Sequence, residues 1–450
     1  MGTISRPVMT EGPVGKTLIR LTIPMVFAMI GMVAFNLVDT FYVGRLGTDE
    51  LAALSFTFPV VLIINSLALG LGTGASAVIS RAIGEGDSNR VRRLTTDSLV
   101  LSVVLVMAFV VVGLATIGPV FSVLGAAERT LPLIKQYMRI WYLGVGFVVI
   151  PMVGNNAIRA TGDTKTPSVI MLVAVAVNAT VDPLLIFGLG PFPRLEIGGA
   201  ALATVISRAM TFAVAFWVLG RRDRMLTSRF PGLAVVMESW KRILFIGLPT
   251  AATRAILPVS IGIVTRLVSS YGTEAVAGFG VATRIEFFAL TVVRALSSVL
   301  MPFVGQNWGA GHLKRVARGV AYSNRLSMVW GGLMFGILAL AAQPIASVFN
   351  RTPGVVVVAR LYLRIVPVGY GFYGAALLVI AALNALNRPL HAAGLSILHM
   401  FALYVPLAAV GSDVFGMEGM FVGLAVSFFM AGVAAHFLFK AQIHRESVAV

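Results

Sequence analysis

The stretch VAFNLVDTFYVG (33–44) places one acid, Asp39, inside a long apolar run. A carboxylate at the centre of a bilayer costs about 2.5–3.5 kcal/mol on insertion scales, and acids kept at that cost usually mark ion or proton pathways. A second acid, Asp182, stands in VNATVDPLLIFG (177–188). Asn178 lies four residues earlier and so on the same helix face. Pro183 follows Asp182 directly, and a proline inside a helix kinks it and frees a carbonyl. Asn36, three residues before Asp39, shares its face, and Thr204 lies in GAALATVISR (199–208). Carboxylate, amide and hydroxyl oxygens together suit a hard cation such as Na⁺, or a proton. The competing reading makes Asp39 interfacial, pairs Asp182 with an arginine, and uses Asn178 and Thr204 as hydrogen-bond glue between helices.

Glu286, in VATRIEFFAL (281–290), is a secondary candidate for a coupling or substrate acid, with Arg284 and Arg294 in the same segment. Residues two apart do not share a helix face, so Arg284 and Glu286 are not an obvious pair. Met25, Met29 and Met32 recur at helical spacing beside Pro24. Methionine faces suit promiscuous binding surfaces and equally fill ordinary cores.

The elements that must hold these residues follow from composition. Of 450 residues, 58% are hydrophobic and 12% charged, about half the charged share of a soluble domain. Apolar runs recur throughout, as in a polytopic membrane protein. Breaks in the pattern predict twelve helical spans at roughly 17–45, 51–80, 93–124, 130–160, 167–190, 196–221, 240–271, 275–305, 316–348, 356–387, 390–411 and 417–440. Alternating the connecting loops puts 22 of the 35 Lys and Arg on one side and 9 on the other, and leaves Arg208, Arg254, Arg284 and Arg294 within spans. The basic side is expected in the cytoplasm, with both termini. The net charge of +17 is therefore read as a topology signal, not as a nucleic-acid surface. No removable leader is expected, because the first apolar segment is long and lacks a small-residue cleavage site.

The chain has no cysteine, which excludes disulfides and thiolate metal sites. Its five histidines have no partner at metal-ligand spacing, and EGPVGKT (11–17) lacks the glycine a phosphate loop needs at position 10, which is Thr10. With no nucleophile–base pair either, an enzyme is not expected.

A shift of 225 residues superposes much of the chain on itself. Pro24 meets Pro249, LGTDELAAL (46–54) meets YGTEAVAGF (271–279), and GEGDSNRVRR (84–93) meets GAGHLKRVAR (309–318). Six spans per half return the chain to the same side, so the halves are parallel repeats, with a substrate cleft expected between them. The domains read as an N-terminal bundle (1–221), a cytoplasmic linker (222–242) and a C-terminal bundle (243–450). Asp39 faces Val264 across the repeat, and Asp182 faces about Tyr404. The two acids are thus not needed to build a six-helix half.

NLVDTFYVGRLGTDELAAL (36–54), IRATGDTKTP (158–167), VNATVDPLLIFG (177–188), GGAALATVISR (198–208) and PFVGQNWGAG (302–311) resemble the multidrug and toxic compound extrusion (MATE) family, in order and over nearly the whole chain. The resemblance is to the prokaryotic branch with its cation site in the N-terminal bundle. It implies an inner-membrane antiporter that exports cationic or amphipathic compounds by alternating access, driven by inward H⁺ or Na⁺ and needing no cofactor. It implies that Asp39, Asn178, Asp182 and Thr204 form the cation site, that the first helix bends at Pro24, and that Asn155, Met171 and Met210 lie near the cleft. The chain is read as a monomer among membrane lipids. Two alternatives stand beside this: a lipid-linked oligosaccharide flippase of the same superfamily, for which the buried arginines speak, and a dedicated metabolite exporter.

Overall fold

A computed structural model of the chain describes residues 9–448. The extreme termini, assigned above to the cytoplasm, lie outside the described residues. Every regular element described is helical. Length and hydropathy pick out eight segments able to cross a membrane. Five come early: α1 (Val14–Gly44), α2 (Thr48–Gly84), α3 (Ser88–Val123), α6 (Lys165–Phe187) and α7 (Glu196–Trp217, extended by a π-helical turn to Arg222). Before α6 comes a bent pair, α4 (Leu131–Gly144) and α5 (Gly146–Ala160), meeting at 43°. α8 (Leu233–Ser269) is the seventh span. Two further bent pairs follow, α9 (Thr273–Ala289) with α10 (Thr291–Gly309) at 43°, and α11 (Leu313–Leu340) with α12 (Ala342–Phe349) at 75°.

α13 (Pro353–Ile365) continues through a 3₁₀ turn into α14 (Tyr370–Ala385). α15 (Pro389–Ile397) runs through a π-helical segment, Leu398–Tyr404, into α16 (Val405–Val448). α16 is two helices joined at Phe415 and Gly416, which leave helical geometry; Gly416 takes a φ of 62°. The chain doubles back there. A Cβ on Gly411 would collide with the Gly419 carbonyl oxygen, and one on Gly423 with that of Leu407. Counting each bent pair once and splitting α16 at this turn gives twelve spans, the number read from the apolar pattern.

The described residues divide into two compact units, 24–251, and 9–23 with 252–448. The division within α1 falls at Pro24. α1 is one helix through this proline, although Pro24 cannot donate to Arg20. The Thr22 hydroxyl donates 2.7 Å to the Leu18 carbonyl, a competing bond of the kind that bends helices. In the first unit α2 lies against α8 through small residues: a Cβ on Gly70 would run into the Gly247 carbonyl and Ala251, and one on Gly74 into the Ile243 carbonyl. The residues between bundles are non-helical only from 223 to 232; α8 begins at Leu233. Thr227 donates its backbone N–H to the Thr96 hydroxyl, and the Trp240 indole donates to the Asp97 carbonyl, so this segment is bound to the start of α3.

Candidate cation site in the first unit

The site is built on α1, α4, α6 and α7. α6 and α7 form a hairpin whose approach needs a bare backbone. A Cβ on Gly199 would meet the Leu185 carbonyl oxygen at 2.5 Å, so only glycine allows α7 to start so close to the end of α6. Asn178 and Asp182 are both fully buried. The Asn178 amide donates 3.2 Å to Asp182 Oδ1, as their four-residue spacing allows. Asp182 Oδ2 and Asn178 Oδ1 are buried without a partner, and so is Asp39 Oδ1 on α1. Asp39 lies close enough to Asp182 for the two carboxylates to act on each other electrostatically.

Three acceptor oxygens therefore stand out of water with nothing donating to them. Native interiors rarely leave such groups unsatisfied, and each needs an explanation. No arginine or lysine pairs with either acid among the described residues, which removes the ion-pair account of Asp182.

Tyr137 of α4, 5% exposed, lies within electrostatic reach of both acids. Sequence reading passed over it. In LPLIKQYMRIWYLG it belongs to an aromatic face with Trp141, which reads as core. Thr204 is buried on α7, but its hydroxyl forms no hydrogen bond with Asp39, Asn178 or Asp182 among the described residues. Asn36 is exposed rather than turned in with Asp39, because a shared face three residues wide spans both a contact and its margin. Its carbonyl accepts from Thr40 at 2.8 Å.

The methionine row on α1 does not form one surface. Met25 is buried, its sulfur 3.7 Å from the Ser168 hydroxyl, Met29 is half-buried, and Met32 is 41% exposed. Asn155, half-buried on α5, keeps a buried and unpartnered Oδ1. Met210 is half-buried on α7. Met171 of α6 has its sulfur 3.7 Å from the Arg208 guanidinium.

In the second unit Glu286 accepts a 2.6 Å hydrogen bond from the Tyr362 hydroxyl, with Arg294 within electrostatic reach. Arg284 is exposed and forms no ion pair with it among the described residues. In the second unit, then, a phenol donates to the acid, an arrangement unlike the open oxygens of the first.

The MatE family model matches residues 24–184 and again 249–410, two segments whose starts are 225 residues apart, as in the internal repeat. Among curated proteins the chain is 38% identical over 428 residues to the FAD transporter of Shewanella oneidensis, covering 95% of each chain. It is 26% identical over 393 residues to the multidrug export protein MepA of Staphylococcus aureus, covering 86% of this chain and 85% of that one. Among solved structures it resembles the Vibrio cholerae MATE transporter VcmN in the bent form, with a TM-score of 0.93, 30% identity, and 97% and 98% of the two chains covered. With both repeats matched and the fold shared from end to end, this integral membrane protein belongs to the MatE family, the MATE transporters.

Proposed function

We propose that the chain is a cation-coupled exporter of small organic compounds, in which inward H⁺ or Na⁺ at Asp39, Asn178 and Asp182 drives outward movement of cargo by alternating access. The observation that carries this reading is the trio of buried, unpartnered oxygens. Two carboxylates held near each other away from water repel and have lost their hydration. A proton or a sodium ion between them relieves both costs at once. Thr204 would join as a further ligand only after moving toward the acids. Release of the cation restores the costs, so α1 has reason to rest differently in the two states. Each elementary charge moving inward contributes about 2.3 kcal/mol per 100 mV, enough for modest cargo gradients.

Relatives named as multidrug exporters support amphipathic or cationic cargo. A second reading, a dedicated metabolite exporter, is favoured by the 38% identical relative named as an FAD transporter. The basic loops support an inner-membrane orientation with both termini in the cytoplasm, and the chain is taken to work as a monomer. Dye and flavin efflux from proteoliposomes under imposed H⁺ or Na⁺ gradients tests the proposal. Transport that responds to neither gradient would sink it.

A further inference from the structure

We propose that Arg208 is an anion-recognition point in the first unit, which takes the phosphate group of an amphipathic cargo at a place separate from the cation site. Its purpose rests on the exporter reading above. Its chemistry rests on what surrounds the guanidinium.

Arg208 stands 12 residues into α7, near the middle of a span that runs from Glu196 to Arg222. A cation there is as costly as the acids, and such residues ordinarily find a partner. Arg93, near the start of α3, follows that rule and pairs with the buried Asp97. Arg208 does not. Among the described residues no carboxylate lies within ion-pair distance of it, and its only hydrogen-bond partner is the thioether of Met171, a weak acceptor. Its Nε is buried with no partner. The side chain as a whole is half-buried, so the remaining N–H groups can be approached.

What holds the guanidinium is the ring of Phe35, 4.6 Å from its carbon to the centroid. A cation–π contact is not a hydrogen bond and uses none of the fork's N–H donors. A planar fork with several unmet donors fits the oxygens of a phosphate. Phosphate offers three terminal oxygens where a carboxylate offers two, and so meets more of the vacant donors.

The three helices that carry the acids also carry this second tier. Phe35 is four residues from Asp39 on α1, and Arg208 is four from Thr204 on α7, about 6 Å or one turn in each case. Met171 precedes Asn178 by seven residues and Asp182 by eleven on α6, about 10 and 16 Å. The arginine tier thus stands toward the N-terminal end of α6, clear of the acids. α1 contributes one residue to each tier. A shift of α1 when a cation occupies Asp39 would displace Phe35 from the guanidinium, which gives the two sites a mechanical link without a shared atom.

The test uses the full-length transporter in detergent and three fluorescent probes: FMN, riboflavin, which has the same ring system without the phosphate, and ethidium, a cation. The wild type is expected to bind FMN at least tenfold more tightly than riboflavin. Arg208→Gln should bring FMN down to the riboflavin level and leave ethidium binding within twofold, and Arg208→Lys should fall between. Equal wild-type affinity for FMN and riboflavin overturns the proposal, and that comparison needs no variant to fold. An Arg208→Gln protein that keeps the FMN preference overturns it too. Asp39→Asn separates the two readings. If it exports normally while the Arg208 results hold, the coupling reading fails and the anion site stands. If it loses export while the FMN preference survives Arg208→Gln, coupling stands and the anion site fails.

Discussion

The Asn178 amide donates 3.2 Å to one oxygen of Asp182 and leaves the other oxygen buried with no donor. One half of the carboxylate is thereby fixed and the other half offered. If Asp39 and Asp182 bind the coupling ion as a unit, Asp39→Asn and Asp182→Asn should each abolish gradient-driven efflux while the protein still inserts and stays monodisperse. An amide has the shape of the protonated acid but cannot release a proton. Residues acting as a unit are non-additive, so the double variant should be little worse than either single one. Asn178→Ala, which removes both the donor that positions Asp182 and one of the three open oxygens, should weaken coupling by at least about tenfold, the lower end of the scale on which partner groups tune a bound cation. Near-normal efflux in Asp39→Asn would reduce Asp39 to an interfacial residue.

Glu286 makes a contrasting case. Its 2.6 Å bond from the Tyr362 hydroxyl accounts for one oxygen inside the second unit. Glu286→Gln keeps an acceptor for that hydroxyl and should retain most gradient-driven efflux. Tyr362→Phe should lower thermal stability by about 1.5–3 kcal/mol, the range for hydrogen bonds to charged groups. Well-folded Glu286→Gln protein without transport would move the coupling site to the second unit.

Orientation can be read directly, because the natural chain lacks cysteine. Arg224 and Thr352 are both exposed and lie in loops predicted to face opposite sides. In intact cells Thr352→Cys should react with an impermeant thiol reagent and Arg224→Cys should not. The opposite pattern would reverse the charge-based assignment.

Asp163 lies in the loop between α5 and α6, outside the spans. Burial by itself would raise its pKa. The Thr166 hydroxyl and backbone N–H, at 2.5 and 2.9 Å, and Arg222, at 2.7 Å, outweigh that and hold it below its ordinary 3.8. A depressed carboxylate contributes stability that is present above its unfolded pKa and lost as pH falls through the folded value. Asp163→Asn should therefore melt lower than wild type from pH 5 to 8, with the gap closing below about 3.8. Arg222 is 38% exposed, so solvent screening keeps the loss at about 1 kcal/mol or less. A gap that is unchanged at pH 3 would rule out the ionised carboxylate as its source.

Membrane solvation made much of this protein legible from sequence. A span must be about 20 apolar residues long whatever its neighbours, so the twelve segments, the six-plus-six repeat and the cost of Asp39 and Asp182 could be read from one chain. The four-residue spacing of Asn178 and Asp182 likewise fixed their common face before any fold was known. Tertiary structure decided what covers each face. Helical periodicity gives a side chain's direction but not its neighbour, so it could not show that Met25 packs on Ser168 while Met32 is exposed. Nor could it show that Tyr137 comes up to the acids from α4, or that Arg208 is met by Phe35 and Met171 and by no carboxylate. The bend at Leu290 is of the same kind. No proline or glycine marks it in FFALTVV (287–293); there the Thr291 hydroxyl donates to the Phe287 carbonyl and, from α11, the Trp330 indole donates to the Ala289 carbonyl, a competition for helix carbonyls of the kind that bends helices.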